Sequence, residues 1–535
     1  MKSNADRQTT SENRKVTRAA GVVGAATLLS RIFGYVRDMV LASFFGAGMA
    51  ADAFIAAFRI PNLLRRLFGE GSLSIAFVPV FTEAMASGDR DDGLRLAVSA
   101  LKLLLVCLSV VAVVGVVVAP AIIQLVAPGF AHTPEKMALT VILTRIMFPY
   151  VILIGLVALC MGILNVMGHF AAPAVAPVLL NLAMIGAVFA VSRFSDSQTV
   201  RVVGLAGGVL VGGVMQLALQ IPFLVKHGVR FWKPSGIWHP GMKKVGILML
   251  PTIFGAAVYQ INILVGTLLA SLLPEGSVSY LYYADRLVQF PLGIFAQAAA
   301  TAVLPSLSRQ AVNGDHVGMG DTFGHAMSLV LFITIPAMVG LVVLRDPIVA
   351  LLFKRGAFDA LTTRLTSDAL LYYALGLWAF SAVRIVVSTF YALQDTRTPV
   401  KCATIAIAAN ILFGMALMGP MKHCGLALAT SLASMVNLVL LVVVLRKKLG
   451  VIRWRLIFFT CLKTLVASGI MALGVMMICH ILIPFENGAG WLRLLAGISA
   501  GVVGGSVVFF AAARMMRMPE WQIVRGVLKR SWKRS

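Results

Sequence analysis

The chain has 535 residues, of which 59% are hydrophobic and 13% charged, and its mean hydropathy is +0.91. Soluble domains are nearer 45–50% apolar and about 25% charged, so this composition excludes an ordinary soluble enzyme or binding module. Lys and Arg outnumber Asp and Glu by 46 to 21, yet no soluble domain presents them as a basic face. No nucleic-acid partner is therefore expected. The excess lies in loops and tails, where it sets topology and meets anionic membrane lipid.

Apolar runs long enough to cross a bilayer recur from end to end, and the short alternating segments of an outer-membrane barrel are missing. The expected fold class is an all-α polytopic membrane protein with about fourteen transmembrane helices. The spans read as 19–45, 51–87, 93–126, 134–166, 171–193, 200–226, 241–273, 276–311, 318–353, 360–393, 397–419, 424–446, 455–484 and 490–516. Residues 1–18 are polar and basic with no cleavage signal after them, and read as a cytoplasmic extension. An even number of spans puts both termini on one side. The basic segments 226–244, 446–455 and the tail after Arg514 place that side in the cytoplasm.

The first two spans hold the unusual feature. Between Ser30 and Glu70 they carry Arg31, Arg37, Asp38, Asp52, Arg59, Arg65, Arg66 and Glu70 inside apolar surroundings. A central Arg costs roughly 2.5–3.5 kcal/mol on insertion scales, so repeated charges point to a polar cavity. Arginine is in excess, so the cavity should prefer an anion. Gly34 permits a break between Arg31 and Arg37; on an unbroken helix their spacing of six puts them on different faces. Pro61, Gly69 and Gly71 mark kinks in the second span.

An internal repeat has an offset of about 226 residues. "HFAAPAVAPV" (169–178) aligns with "DTRTPVKCAT" (395–404), and "AFVPVFTEAMASGD" (76–89) with "AVLPSLSRQAVNGD" (302–315). Each copy holds an even number of helices, so the copies run in the same direction and should form two parallel six-helix lobes around a central cavity. The expected segments are an N-lobe at 19–228, an amphipathic cytoplasmic linker at 229–240 and a C-lobe at 241–450. Helices 13 and 14 at 451–517 fall outside the duplication, and 518–535 is a basic cytoplasmic tail lying on the surface.

In the second copy "YYADRLVQFP" supplies Asp285 and Arg286. Arg31, Arg37, Arg65 and Arg286 thus come from both copies at middle-to-outer depth. Arginine matches phosphate with a planar fork and keeps its proton, so a diphosphate headgroup would use several of them. Asp38, Asp52, Glu70 and Asp285 are the expected partners when the site is empty. Arg59, Asn62 and Arg66 are secondary candidates, with Arg145 and Arg384 weaker still. Arg66 and Glu70 are also spaced as a simple helical pair. The competing reading makes all of these buried salt bridges that lock helices together.

Enzyme signatures are poor. "DRDD" (89–92) resembles a metal–diphosphate motif but reads better as a helix start. No HExxH, GxSxG or P-loop occurs. The six cysteines and eight histidines are scattered without ligand spacing. No catalytic activity, metal or cofactor is expected.

The run "SRIFGYVRDMVLASFFGAGMAADAFIAAFRIPNLLRRLFGEGSLSIAFVPVF" resembles the N-terminal signature of the MurJ/MviN family. "YYADRLVQFPLGIF", "LPSLS" and "FYALQDTRTPVK" resemble its later motifs. The likeness covers about residues 19–515. The family belongs to the multidrug/oligosaccharidyl-lipid/polysaccharide exporter superfamily. Membership implies a lipid II flippase of the bacterial inner membrane, moving undecaprenyl-diphosphate-linked disaccharide-pentapeptide outward for cell wall synthesis. It also implies that the family's cavity arginines fall on Arg31, Arg37, Arg65 and Arg286, and its cavity acid on Asp52. Helices 13 and 14 would then form a groove for the lipid tail, and the cell-wall synthesis machinery is a further candidate partner. Gln289 stands where some relatives carry a carboxylate, and helix 7 has none before Glu275. The alternatives are a flippase for another polyprenyl-diphosphate-linked saccharide, an ion-coupled small-molecule exporter, a membrane glycosyltransferase and a scaffold.

Overall fold

A computed structural model of the chain describes residues 2–67, 73–86, 89–231, 236–450, 452–482, 490–522 and 525–526; within these it describes side chains from residue 21 on, except at 22, 67, 74 and 250–259. All regular structure among them is helical, as expected. The first compact unit, Met1–Gly276, holds α1 (Lys2–Phe45), α2 (Met49–Leu67), α3 (Leu73–Ala86), α4 (Arg90–Val126), α5 (Pro134–Met147), α6 (Tyr150–Val166), α7 (Ala171–Ser192), α8 (Gln198–Lys226) and α9 (Gly241–Ser271). The second, Ser277–Ser535, holds α10 (Ser277–Pro291), α11 (Gln297–Val312), α12 (His316–Val343), α13 (Arg345–Phe353), α14 (Ala360–Ala374), α15 (Leu377–Ala392), α16 (Arg397–Leu449), α17 (Trp454–Leu482) and α18 (Trp491–Met515).

Helix boundaries repeat along the chain. α4 starts at Arg90 and α12 at His316, α5 at Pro134 and α14 at Ala360, α7 at Ala171 and α16 at Arg397, each pair 226 residues apart. The last residues of α1 and α9, Phe45 and Ser271, keep the same spacing. Packing repeats too. α2 lies on α5, α3 on α4 and α6, and α4 on α6; in the second unit α10 lies on α14, α11 on α12 and α15, and α12 on α15. The aligned Asp residues do one job in both copies. Asp89 caps α4 by accepting from the Asp92 amide at 3.0 Å, and Asp315 caps α12 by accepting from the Gly318 amide at 2.8 Å. An Asp in this position satisfies an amide that the helix leaves unpaired. "DRDD" is therefore a helix start.

α16 has 53 residues but is two helices, because Lys422 has φ 51. A Cβ on Gly425 would lie 2.3 Å from the Leu417 carbonyl oxygen. In a straight helix two residues eight apart are separated by about 12 Å, so the chain doubles back here. This is the boundary expected between spans eleven and twelve. Nine described helices are long and apolar enough to cross a membrane, or ten if the bent pair α14–α15 is one span. The fourteen expected spans would also count α1, α2 with α3, α9, and α16 as two.

Side chains that face lipid stay apolar. α17 and α18 pack on each other and on α12 through Phe332, Met471, Val475 and Phe509, while Leu473 and Val503 point away from the protein. At the end of this pair Glu520 is buried and accepts from the Thr460 hydroxyl at 2.7 Å. The Trp521 ring lies 5.1 Å from that of Phe510. The remaining tail positions of the surface-helix reading, Val524, Leu528, Lys529, Arg530 and Trp532, lie outside the described residues. In the segment 229–240 the described residues are not helical; Trp232 is outside them, and Ser99 donates to the Gly236 carbonyl at 2.8 Å.

Candidate functional site

α1 runs through Gly34 without the break that its glycine permits. With the helix unbroken, Arg31 and Arg37 fall on different faces, and the structure places them so. Arg31 is exposed and, among the described residues, makes no hydrogen bond or ion pair. Arg37 is buried. Its Nε and Nη2 donate to Asp38 Oδ1 at 3.0 and 2.7 Å, and its Nη1 donates to Asn181 Oδ1 of α7 at 3.1 Å. Asn181 Nδ2 in turn donates to the Ser30 carbonyl at 3.4 Å. The guanidinium, the carboxylate and the amide thus form one network at the interface of α1 and α7.

In α2 the charges divide by position. Asp52, in the first turn and 1% exposed, accepts from Lys136 Nζ at 2.7 Å and from the Gly276 amide at 2.8 Å. One of its partners is thus a lysine of α5. Lys136 also lies 4.3 Å from the Phe130 ring centre. Arg59 donates from Nη1 to Thr267 Oγ1 at 2.5 Å and to the Ile263 carbonyl at 3.1 Å, which ties α2 to α9. Arg65, in the last turn of α2, donates to Asn62 Oδ1 at 3.0 Å. Arg66 Nε is buried and, among the described residues, has no hydrogen-bond partner. Glu70 lies outside the described residues, so neither its pairing with Arg66 nor a role as cavity acid is described.

Tyr150 joins two of these sites. Its hydroxyl is fully buried, donates to Gln216 Oε1 at 3.4 Å, and lies within electrostatic reach of both Arg65 and Arg37. Gln216 Nε2 donates to the Ala176 carbonyl at 3.0 Å. The first unit therefore has a polar interior built from α1, α2, α6, α7 and α8. In the second unit Arg286 folds back on its own helix, with Nη2 donating to the Tyr282 hydroxyl at 3.1 Å and the guanidinium over that ring at 5.1 Å. Gln289 Nε2 donates to Asp285 Oδ1 at 3.4 Å. One turn of π-helix, Leu292–Ala296, follows. Such single turns inside α-helices are frequent at functional sites. Arg384 of α15 donates to Gln297 just beyond it, and Arg145 Nε donates to the Val116 carbonyl at 3.3 Å.

A membrane-spanning chain with arginines on α1, α2 and α10 is what the family resemblance requires. The family model described as "Lipid II flippase MurJ" matches residues 41–491. A Vibrio cholerae serotype O1 protein described as "Probable lipid II flippase MurJ" is 41% identical over 436 residues, covering 80% of this chain and 82% of that one. The chain belongs to the lipid II flippase MurJ family. A "Lipid II flippase MurJ" of Burkholderia cenocepacia is 37% identical over 436 residues, covering 81% and 84%. The solved structure of "Lipid II flippase MurJ, inward closed conformation" matches with TM-score 0.76 and 28% identity, covering 92% of this chain and 99% of that one. An inward-facing multidrug resistance MATE transporter of the MOP superfamily matches with TM-score 0.65, 16% identity and coverage of 81% and 98%; at that identity the likeness is one of fold. The family match spans Asp52, Arg65 and Arg286 but begins after Arg31 and Arg37.

Asn181, Lys136, Thr267 and Tyr282 complete these networks and were not among the sequence candidates. Asn181 did leave a signal, as a polar residue inside an otherwise apolar span, whereas Lys136 sits beside Glu135 in the polar first turn of α5. Their partners are 144 and 84 residues away, beyond the reach of helical spacing.

Proposed function

We propose that the chain flips lipid II from the inner to the outer leaflet of the bacterial cytoplasmic membrane, for peptidoglycan synthesis, by alternating access. The family match over residues 41–491 carries this reading. The chemistry supports it. Arg31, Arg37, Arg65 and Arg286 receive the diphosphate, because a guanidinium stays charged and binds two phosphate oxygens at once. Asp38 and Asp285 are acids that hold or release the neighbouring arginine side chains during the cycle. The N-lobe 19–228 and C-lobe 241–450 are the two moving parts, and helices 13 and 14 carry the polyprenyl tail. Both termini face the cytoplasm, where the basic segments 226–244, 446–455 and the tail meet anionic lipid. Membrane potential, worth about 2.3 kcal/mol per charge per 100 mV, is a physical source of drive.

The test is depletion of the protein in its host, followed by measurement of lipid II in each leaflet. Accumulation in the inner leaflet is expected, restored by the wild-type chain but not by Arg31→Ala or Arg286→Ala at equal membrane abundance. An unchanged leaflet distribution on depletion would overturn the function. Full restoration by both variants would overturn the arginine site alone.

A further inference from the structure

Four exposed cations, Lys354, Arg355, Arg364 and Lys422, gather at one end of the second unit. Lys354 and Arg355 follow α13, Arg364 lies in the second turn of α14, and Lys422 makes the turn inside α16. His423 Nε2 donates to the Leu365 carbonyl at 3.0 Å, and its ring lies 5.1 Å from that of Tyr280 in α10. The backbone of Lys422 is thereby held beside that of Arg364. The Phe353 and Phe358 rings, 5.7 Å apart, flank the loop that carries Lys354 and Arg355 and pack on Tyr283. Among the described residues Lys354, Arg364 and Lys422 make no hydrogen bond or ion pair, and Arg355 donates to the Leu351 carbonyl at 3.0 Å without meeting an acid. The acids nearby are engaged elsewhere. Asp346 lies 3.8 Å from Arg345, Asp359 caps α14 by accepting from the Thr362 amide at 2.7 Å, and half-buried Asp368 lies within electrostatic reach of His423.

Neither the fold nor the membrane asks for these charges. α5 and α14 start 226 residues apart, and at that spacing Lys354, Arg355 and Arg364 correspond to Pro128, Gly129 and Ala138. The first copy makes the same connection with no cation at these positions. In the orientation proposed above this end faces outward, where short loops normally carry little Lys or Arg. Lys422 bears a conformational cost as well. Its φ 51 and ψ -131 lie outside the regions that a residue with a Cβ normally occupies. Glycine would take this turn without strain, yet the position holds a lysine. Exposed apolar side chains lead up to the cations, Leu361 one turn before Arg364, and Leu412 and Met415 on the way to Lys422. The cations therefore stand where lipid-facing surface gives way to headgroups.

We propose that Lys354, Arg355, Arg364 and Lys422 form a docking surface for the headgroup of an anionic phospholipid in the outer leaflet. Charge complementarity selects this occupant. Such a headgroup carries net negative charge, lies at this depth wherever the chain is inserted, and offers phosphate oxygens to several cations at once. The docking is distinct from lipid II transport, and only its leaflet rests on the reading above.

The test titrates purified full-length chain in detergent with phosphatidylglycerol or phosphatidylcholine and follows hydrogen exchange at 354–366 and 419–425. Phosphatidylglycerol should slow exchange in both segments, and phosphatidylcholine should not. Lys354→Gln and Arg364→Gln should each weaken phosphatidylglycerol binding by about fivefold, the worth of one cation near an anionic surface. Lys401→Gln, at the far end of the first half of α16, should leave it unchanged. Lys422→Gly separates charge from backbone. It should raise thermal stability, because the turn is no longer strained, and weaken phosphatidylglycerol binding by the same factor, whereas Lys422→Arg should bind as wild type. Equal protection by both phospholipids, or wild-type binding by Lys354→Gln and Arg364→Gln, would overturn the docking surface. Normal phosphatidylglycerol binding by Lys422→Gly would overturn the part given to Lys422. Protection of the same segments by lipid II at lower concentrations than phosphatidylglycerol would give the surface to the transported lipid and overturn its assignment to phospholipid. None of these readouts requires flipping, so failure of the flippase reading would leave them standing.

Discussion

Arg37 and Asp38 are consecutive in α1, and their side chains meet in a buried ion pair of 2.7 Å. Adjacent residues of a helix normally point apart. Here the Arg37 side chain returns to its neighbour because Asn181 of α7 fixes the other end of the guanidinium. The pair is a buried unit that α1 carries into the protein.

Removing the cation alone should be costly. Arg37→Met takes from buried Asp38 the guanidinium it binds, and stripping one partner from a buried pair typically costs about 3–5 kcal/mol. Arg37→Met with Asp38→Leu should recover most of that stability. Thermal unfolding in detergent measures both. Flipping should be absent in the single and double variants alike, because the phosphate ligand is gone from each.

Acid should weaken the second unit at a known place. Asp395 lies between α15 and α16. Partial burial works to raise its pKa, but bonds from Lys448 Nζ at 2.6 Å and from the Thr398 hydroxyl and amide at 2.6 and 3.0 Å outweigh this and hold it well below the usual carboxylate range. A depressed folded-state pKa contributes stability that is complete above the unfolded value, about 3.9, and is lost as pH falls through the folded value. Unfolding followed from pH 7 downward should show this contribution constant until about pH 4 and declining below it. Asp395→Asn should be less stable at pH 7 and should lack that part of the acid dependence.

Two glycines should respond to alanine in opposite directions. Gly425→Ala would put a Cβ against the Leu417 backbone, which cannot move aside, and should destabilise by about 1–3 kcal/mol or more. Gly207 of α8 has nothing within 4 Å of the equivalent position. Gly207→Ala should raise stability by about 0.5–1 kcal/mol through lower backbone entropy. Thermal shifts of opposite sign are the expected readout.

The acids at the start of α4 offer a functional control. Asp89→Ala with Asp91→Ala removes the cap on α4 and should cost about 1 kcal/mol. Lipid II flipping should persist at the wild-type rate, measured by leaflet distribution. Loss of flipping at normal protein abundance would restore the metal–diphosphate reading of "DRDD".

Much of this was legible in the chain because it depends on local patterns. Apolar length marks spans, and matched Pro and Gly-Asp positions mark the repeat that helix boundaries follow at 226 residues. Charge inside apolar runs marked Arg37, Asp38 and Asp52 as buried groups with work to do. The partners were not legible. Helical spacing relates Arg66 to Glu70, but nothing local relates Asp52 to Lys136 or Arg37 to Asn181.

Hydropathy, periodicity and motif order suffice to identify an all-helical, duplicated membrane protein of the lipid II flippase MurJ family. That α1 passes Gly34 unbroken, that Asp52 answers to Lys136 and Gly276, and that Arg59 binds Thr267 emerge from the packing of the folded chain. A glycine permits a break but does not compel one, and in a low-dielectric interior a charge takes whichever partner the packing of distant helices brings within hydrogen-bond reach.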